Sequence, residues 1–279
     1  MNAPVDEQGS PVTATQEKVQ WWSWRIAAEF ATALAFAGAF FALWPTDLIW
    51  DDGAIVVKYM DNFARGHFYS YNPTDGPVFG ISGFLHGLLA GALAYTHVFS
   101  PLDSLFASNF LGLTLTGFFL FRVLAQYLPD WRAAVPAWVA LMVSCPNFVT
   151  NVKEGLETPL HVGVLLANVW AFASGRRRLM WFLGALAVIS KLDGILFVVV
   201  FWGAFFLREW ADGRPADRRV AREALLFAGL PIFAWVVFCY AVFGSPIPQT
   251  IVAKLMFHRQ STFVWPGFVK PFLTGKALS

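Results

Sequence analysis

The sequence predicts an all-α fold, a polytopic transmembrane helical bundle of about seven to nine membrane segments. Three observations lead there. The 279 residues are 57% hydrophobic and only 14% charged, with a mean hydropathy of +0.55, and a soluble domain of this size needs far more surface charge. Apolar runs of bilayer-spanning length, roughly 17–25 residues, recur along the chain. The first run is entered through "WWSWR", where Trp21, Trp22 and Trp24 with Lys18 and Arg25 have the composition of an interfacial belt. A net charge of +2 suggests no nucleic-acid partner. Cys145 and Cys239 both lie in apolar runs, which argues against a disulfide framework.

Residues 1–20 are polar and rich in Pro, Ser, Thr and Gln. They lack the basic segment and short apolar core of a signal peptide, and a disordered cytoplasmic tail is expected. Spans are expected at 26–44, 79–99, 104–124, 133–149, 156–173 and 222–243. A further apolar run, 179–208, is interrupted by "SKLDG". A charge at the bilayer centre costs ~2.5–3.5 kcal/mol, so two short helices should meet at Lys191–Gly194, near an interface or a polar cavity.

Basic loops set orientation. "GRRR", with Arg176–Arg178, and the stretch from Arg208 to Arg222 are expected on the cytoplasmic side. The loop after the first span, "SKLDG" and the segment after 243 then face outward. Four apolar runs separate the outer loop at 45–78 from "GRRR", where parity demands an odd number. The suspect is 79–99, with Gly80, Gly83, Gly87, Gly91, His86 and His97; it is expected to be re-entrant or interfacial.

Three polar clusters share the outer side. The first opens with Asp51 and Asp52, just after an apolar run. Apolar residues at Ile55, Val56, Tyr59, Met60 and Phe63 have helical spacing, so an amphipathic helix is expected over 51–65, lying on the membrane surface. The aspartates at its start either cap it, accept a proton from an attacking hydroxyl or hold a divalent cation, Mg, Mn or Ca. His67 and a turn at "NPTDGP" follow. In the second cluster, "NVKEGLETPLHVG", Thr158 reads as an N-cap with Pro159 at the first helical position. Glu157 either belongs to that cap or lines the same outer cavity as Asp51, and His161 reads as a structural hydrogen-bonder. The third cluster, "SPIPQTIVAKLMFHRQ", places Lys254, His258 and Arg259 outside, where a phosphate at the membrane surface or lipid head groups would partner them.

The order "DDGAIVVKYMDNFARGHFYSYNPTDGPVFGISGFL", "EGLETPL", "SKLDGIL", "FGSPIPQTIVAK" resembles the C-type integral membrane glycosyltransferases, above all the subgroup of mycobacterial terminal arabinofuranosyltransferases. These stretches carry six family motifs in order over residues 47–255: an aspartate pair after the first span, a segment ending in Y-N, V-x-G-x-[ST], G-[LM]-E-T-P-L, R-P-[DE]-G and G-[DS]-P-x-P-x-T ending in A-K. Where the family has R-P-[DE]-G, this chain has Lys191 and Leu192 before Asp193 and Gly194. Family members usually run to several hundred residues, so 21–279 is expected to be a single transmembrane glycosyltransferase module equivalent to their front part.

The resemblance implies a sugar donor on a polyprenyl phosphate and a glycan, lipid or protein acceptor of the cell envelope. It implies inverting transfer on the periplasmic side of a bacterial inner membrane. Asp51 or Asp52 would be the base, with a metal also assigned to that pair. Glu157, Lys191, Asp193, Lys254, His258, Arg259 and His67 would bind substrates. Two competing expectations are a transporter gated at the "SKLDG" break and a non-catalytic scaffold.

Overall fold

The computed structural model describes residues 14–43, 51–128, 130–213 and 218–260, and for some helical residues, Asp51, Lys254, His258 and Arg259 among them, the backbone alone. Every regular element among the described residues is helical. The first four α-helices are α1 (Ala14–Leu43), α2 (Asp51–Ala64), α3 (Phe84–Tyr95) and α4 (Pro101–Tyr127). There follow α5 (Trp131–Val143), α6 (Pro146–Lys153), α7 (Thr158–Ala173) and α8 (Arg177–Ser190). The chain continues through α9 (Gly194–Ala211), α10 (Arg218–Ala224), α11 (Leu230–Phe243) and α12 (Gln249–Gln260).

The scaffold is built on α4. It runs antiparallel to α1, with Arg122 Nη1 2.9 Å from Glu29 Oε2 near one end and Phe41 against Phe106 and Phe110 near the other. It runs parallel to α7. There the two backbones approach closely: a Cβ on Gly112 would lie 2.5 Å from the Leu160 nitrogen, and one on Gly163 would press on Leu115 and Thr116. Small residues permit such close packing between apolar helices. Thr116 Oγ1 seals the contact by donating to the Pro159 carbonyl at 2.7 Å.

This wiring gives the bundle two poles. Helices α4, α7 and α9 run toward one, and α8 and the α10–α11 run leave it. That pole holds Arg122, Arg176, Arg178, Arg208 and Arg219; the other holds Asp52, Glu157, Lys191 and Asp193. A π turn at Leu225–Gly229 joins α10 to α11 directly before Pro231, which has no N–H to give the preceding turn.

Four helices are long and apolar enough to cross a membrane: Trp24–Leu43, Pro101–Tyr127, Gly194–Ala211 and Arg218–Phe243. A fifth is added if Arg132–Val143 and Pro146–Lys153, bent by 66°, form one broken span. These lengths support an integral membrane protein, with fewer full-length spans than the seven to nine expected. The difference lies in α3, α7 and α8, of 12, 16 and 14 residues. At 1.5 Å per residue they reach about 18, 24 and 21 Å, against roughly 30 Å of hydrocarbon. The run expected at 79–99 begins with residues 79–83, which are not helical, and the run 179–208 is broken at Lys191 and Asp193.

Three further expectations change. Helix α1 begins at Ala14, inside the stretch expected to be a disordered tail; residues 14–20 include Ala, Gln, Glu and Lys, good helix formers. The run 133–149 breaks at Pro146, whose ring disfavours helical conformation in the residue before it. Helix α2 has the expected bounds within a residue, yet its Val56, Tyr59, Met60 and Phe63 are buried in a protein core with Tyr69, Phe84 and Trp235. The stripe expected to face lipid is covered by protein instead. The "NPTDGP" turn forms as a short 3-10 helix at Pro73–Asp75, with Asn72 Nδ2 donating to Asp75 Oδ2 at 3.0 Å.

Candidate functional site

At the carboxylate pole, four chain breaks converge on one cavity of about 730 Å³. The start of α2 supplies Asp52. The irregular strip before α3 supplies Ser82. The junction of α6 and α7 supplies Glu157 and Thr158, and the α8–α9 break supplies Lys191 and Asp193. Helix ends leave backbone groups without intrahelical partners, so polar side chains gather where helices stop. The opposite wall is apolar, with Ile55, Leu192, Ile195, Leu196 and Ile251.

Glu157 is the hub. Lys191 Nζ lies 3.0 Å from its Oε1, and Ser82 Oγ donates to the same oxygen at 3.0 Å. Lys191 also reaches Asp193 Oδ2 at 3.6 Å. Gly83 makes the junction possible, because a Cβ there would collide with the Glu157 side chain. Burial pushes the Glu157 carboxyl up, but the Lys191 charge and the hydrogen bonds outweigh it and hold the group below its ordinary value. Burial likewise pulls Lys191 down, and the Glu157 and Asp193 carboxylates more than restore it, leaving the ammonium above its ordinary value. The pair is therefore ionised at neutral pH.

The capping expectation changes here. Glu157 is the N-cap of α7 and Thr158 its first residue, yet the Glu157 side chain makes no cap hydrogen bond. Lys191 and Ser82 draw it across to the cavity instead. Asp52 is exposed on the cavity rim, and no described residue pairs with it. Behind the cavity, burial pushes the Tyr59 phenol up to about 12, with a hydrogen bond to the Gly80 backbone pulling the other way. One turn into α7, His161 Nδ1 donates to Ser190 Oγ at 2.6 Å, and that hydroxyl donates to the Ala187 carbonyl at 2.9 Å. This fixes the histidine as the structural hydrogen-bonder expected from its place in an apolar helix.

Four of the expected site residues thus share a cavity: Asp52, Glu157, Lys191 and Asp193. His67 does not join them. It is exposed on the turn after α2, roughly 20 Å along the helix from Asp52. The side chains of Asp51, Lys254, His258 and Arg259 lie outside the described residues, although Thr250 and Ile251 at the start of α12 do line the cavity. Sequence reasoning missed Ser82. Its signal was the V-x-G-x-[ST] segment, Val78 to Ser82, in which the last position is the hydroxyl that reaches Glu157.

The divalent cation was expected on Asp51 and Asp52; the Asp51 side chain lies outside the described residues, and the neighbouring carboxylates of the cavity are held by an ammonium. Lys191 Nζ stands between the Glu157 and Asp193 carboxylates, the position from which a cation would bridge them. Among the described residues no group of three or more His, Cys, Asp or Glu side chains gathers. The chemistry available is a carboxylate at the rim that no described residue pairs, an anchored ammonium within and an apolar wall. Comparison with family models, with curated proteins and with solved structures finds no match to this chain.

Proposed function

We propose that the chain is a membrane glycosyltransferase that takes a sugar from a polyprenyl-phosphate donor and gives it to a hydroxyl of a cell-envelope glycan, lipid or protein. One observation carries the reading. A single cavity presents a carboxylate, Asp52, that no described residue pairs, and an ammonium, Lys191, held by Glu157, against an apolar wall. Those are the three surfaces the reaction needs.

The acceptor hydroxyl enters at the rim and attacks the anomeric carbon from the face opposite the phosphate. Asp52 takes its proton as the new C–O bond forms. The bond from the anomeric carbon to the phosphate oxygen breaks, and the phosphate leaves with the electron pair. Lys191 meets the developing charge, held in position by Glu157 rather than drawn there during the reaction. Configuration inverts, because one displacement occurs. The prenyl tail lies over Leu192, Ile195 and Leu196 and out along α9, where Leu196 is 73% exposed and Val199 and Val200 are similarly open. With the arginine pole in the cytoplasm, the cavity faces the periplasm of a bacterial inner membrane. The full-length spans then cross together with α7, α8 and the bent α5–α6 pair.

The transporter alternative is less well supported. The Lys191–Asp193 break lies at the same pole as Asp52 and Glu157, whereas broken helices in transporters meet near the midplane. The test is transfer from a panel of short-chain polyprenyl-phosphate sugars by the purified chain in detergent, with mixed envelope glycans as acceptors. Transfer of one sugar with release of polyprenyl phosphate is expected. Flux of a substrate across liposomes with no donor lipid present would sink the reading.

A further inference from the structure

We propose that the opposite pole carries a second site, for the anionic headgroup of a glycerophospholipid in the leaflet at that pole. A cavity of about 790 Å³ opens there among the ends of α7, α8, α9 and α10. Five arginines border it: Arg176, Arg177, Arg178, Arg208 and Arg219. Three carboxylates, Glu209, Asp212 and Glu223, oppose them. Two positive charges remain in excess, since five less three is two.

The arginines are held in place. Glu223, 4% exposed, bridges the Nε atoms of Arg177, Arg178 and Arg219 at 2.8, 3.3 and 3.4 Å. A guanidinium carries five N–H donors, so Arg177 and Arg178 each give one to Glu223 and keep others for a ligand. Arg176 forms no ion pair among the described residues. Its guanidinium lies 4.8 Å from the centroid of the Trp170 ring, with Arg122 over the same ring at 5.5 Å. A second cavity of about 430 Å³, bordered by Arg25, Arg122 and Arg176, adjoins through Arg176. Fixed, bidentate-capable guanidiniums are the groups that recognise a phosphodiester.

The surroundings select a lipid over a soluble phosphate. The cavity floor is apolar, with Phe172, Leu179 and Phe205. It opens where α9 and the α10–α11 run reach the membrane surface, and Leu207, Trp210 and Leu225 stand exposed there. Trp210, 76% exposed, has the place of an interfacial aromatic. A headgroup phosphate among the arginines would leave its acyl chains along α9. Basic pockets between membrane helices bind such headgroups.

The test uses the purified full chain in a zwitterionic detergent, titrated with phosphatidylglycerol or phosphatidylcholine. Bound lipid is counted by native mass spectrometry, and the unfolding midpoint is followed. Phosphatidylglycerol should bind and raise the midpoint, and phosphatidylcholine should do neither. Arg176→Gln/Arg208→Gln should weaken phosphatidylglycerol binding roughly tenfold with the lipid-free midpoint kept, since neither residue pairs with Glu223. Arg176→Gln alone should give a smaller loss in the same direction, and Lys58→Gln at the other pole should give none. Equal binding of both lipids, or unchanged affinity in the arginine variants, would overturn the proposal. So would full displacement of the lipid by millimolar inorganic phosphate, which would make the ligand a soluble anion.

Discussion

Glu157 is ionised because of one neighbour, and that makes its energetics testable. Its pairing with Lys191 stabilises the fold above the ordinary glutamate value of 4.5, and that stabilisation is lost as pH falls through the depressed folded value. Lys191 behaves in the opposite sense. Its contribution is full below the ordinary lysine value of 10.5 and fades as pH rises through the raised folded value. Glu157→Gln should therefore cost about 1–3 kcal/mol near neutrality, with the gap to wild type closing in acid as the wild-type carboxyl protonates. Unfolding midpoints in detergent across pH check this; a gap that persists in strong acid would assign the loss to packing. Ser82→Ala removes one hydrogen bond to the same oxygen. It should cost about 1 kcal/mol and lower kcat several-fold with little change in KM, because Ser82 positions Glu157 and touches no reacting atom.

At the scale of elements, the site depends on how closely segments approach. Gly83 lets the strip before α3 close on Glu157, and Gly112 lets α4 meet the first turn of α7. Gly83→Ala should destabilise by roughly 1–3 kcal/mol through overpacking and lower transfer by displacing Ser82. Gly112→Val should do more, because the obstruction is the Leu160 backbone, which cannot rotate aside. Thermal unfolding of both variants tests the ranking. Most elements were legible from pattern. The 3.6-residue spacing of Val56, Tyr59, Met60 and Phe63 marked α2, and Lys191 and Asp193 in apolar surroundings marked the α8–α9 break. What covers a face was not legible. An amphipathic stripe reads the same against lipid as against Tyr69 and Phe84, and only tertiary packing decides. Ser82 escaped for a similar reason: its segment was visible, but its partner lies 75 residues away in sequence, and local pattern does not show which groups meet.

The whole molecule is a two-pole object, and its poles follow from helix direction. The arginine loops fall together, as loop charge alone had suggested, and the stretch 79–99, where parity failed, holds α3, at about 18 Å the shorter of the two short apolar helices α3 and α7. A membrane-impermeant thiol reagent tests the orientation on a Cys145→Ser background, since Cys145 is exposed. Thr74→Cys should label in intact cells, and Asp212→Cys only after permeabilisation; the reverse pattern would turn the protein over. The central claim is that Asp52 is the base of a sugar transfer in the cavity it shares with Lys191. The most direct measurement is the single-turnover rate of sugar transfer from a saturating polyprenyl-phosphate donor, for wild type beside Asp52→Asn. The account predicts a rate lower by about 10²–10⁴ in the variant, with donor binding and unfolding midpoint preserved. An unchanged rate in well-folded Asp52→Asn protein would contradict it.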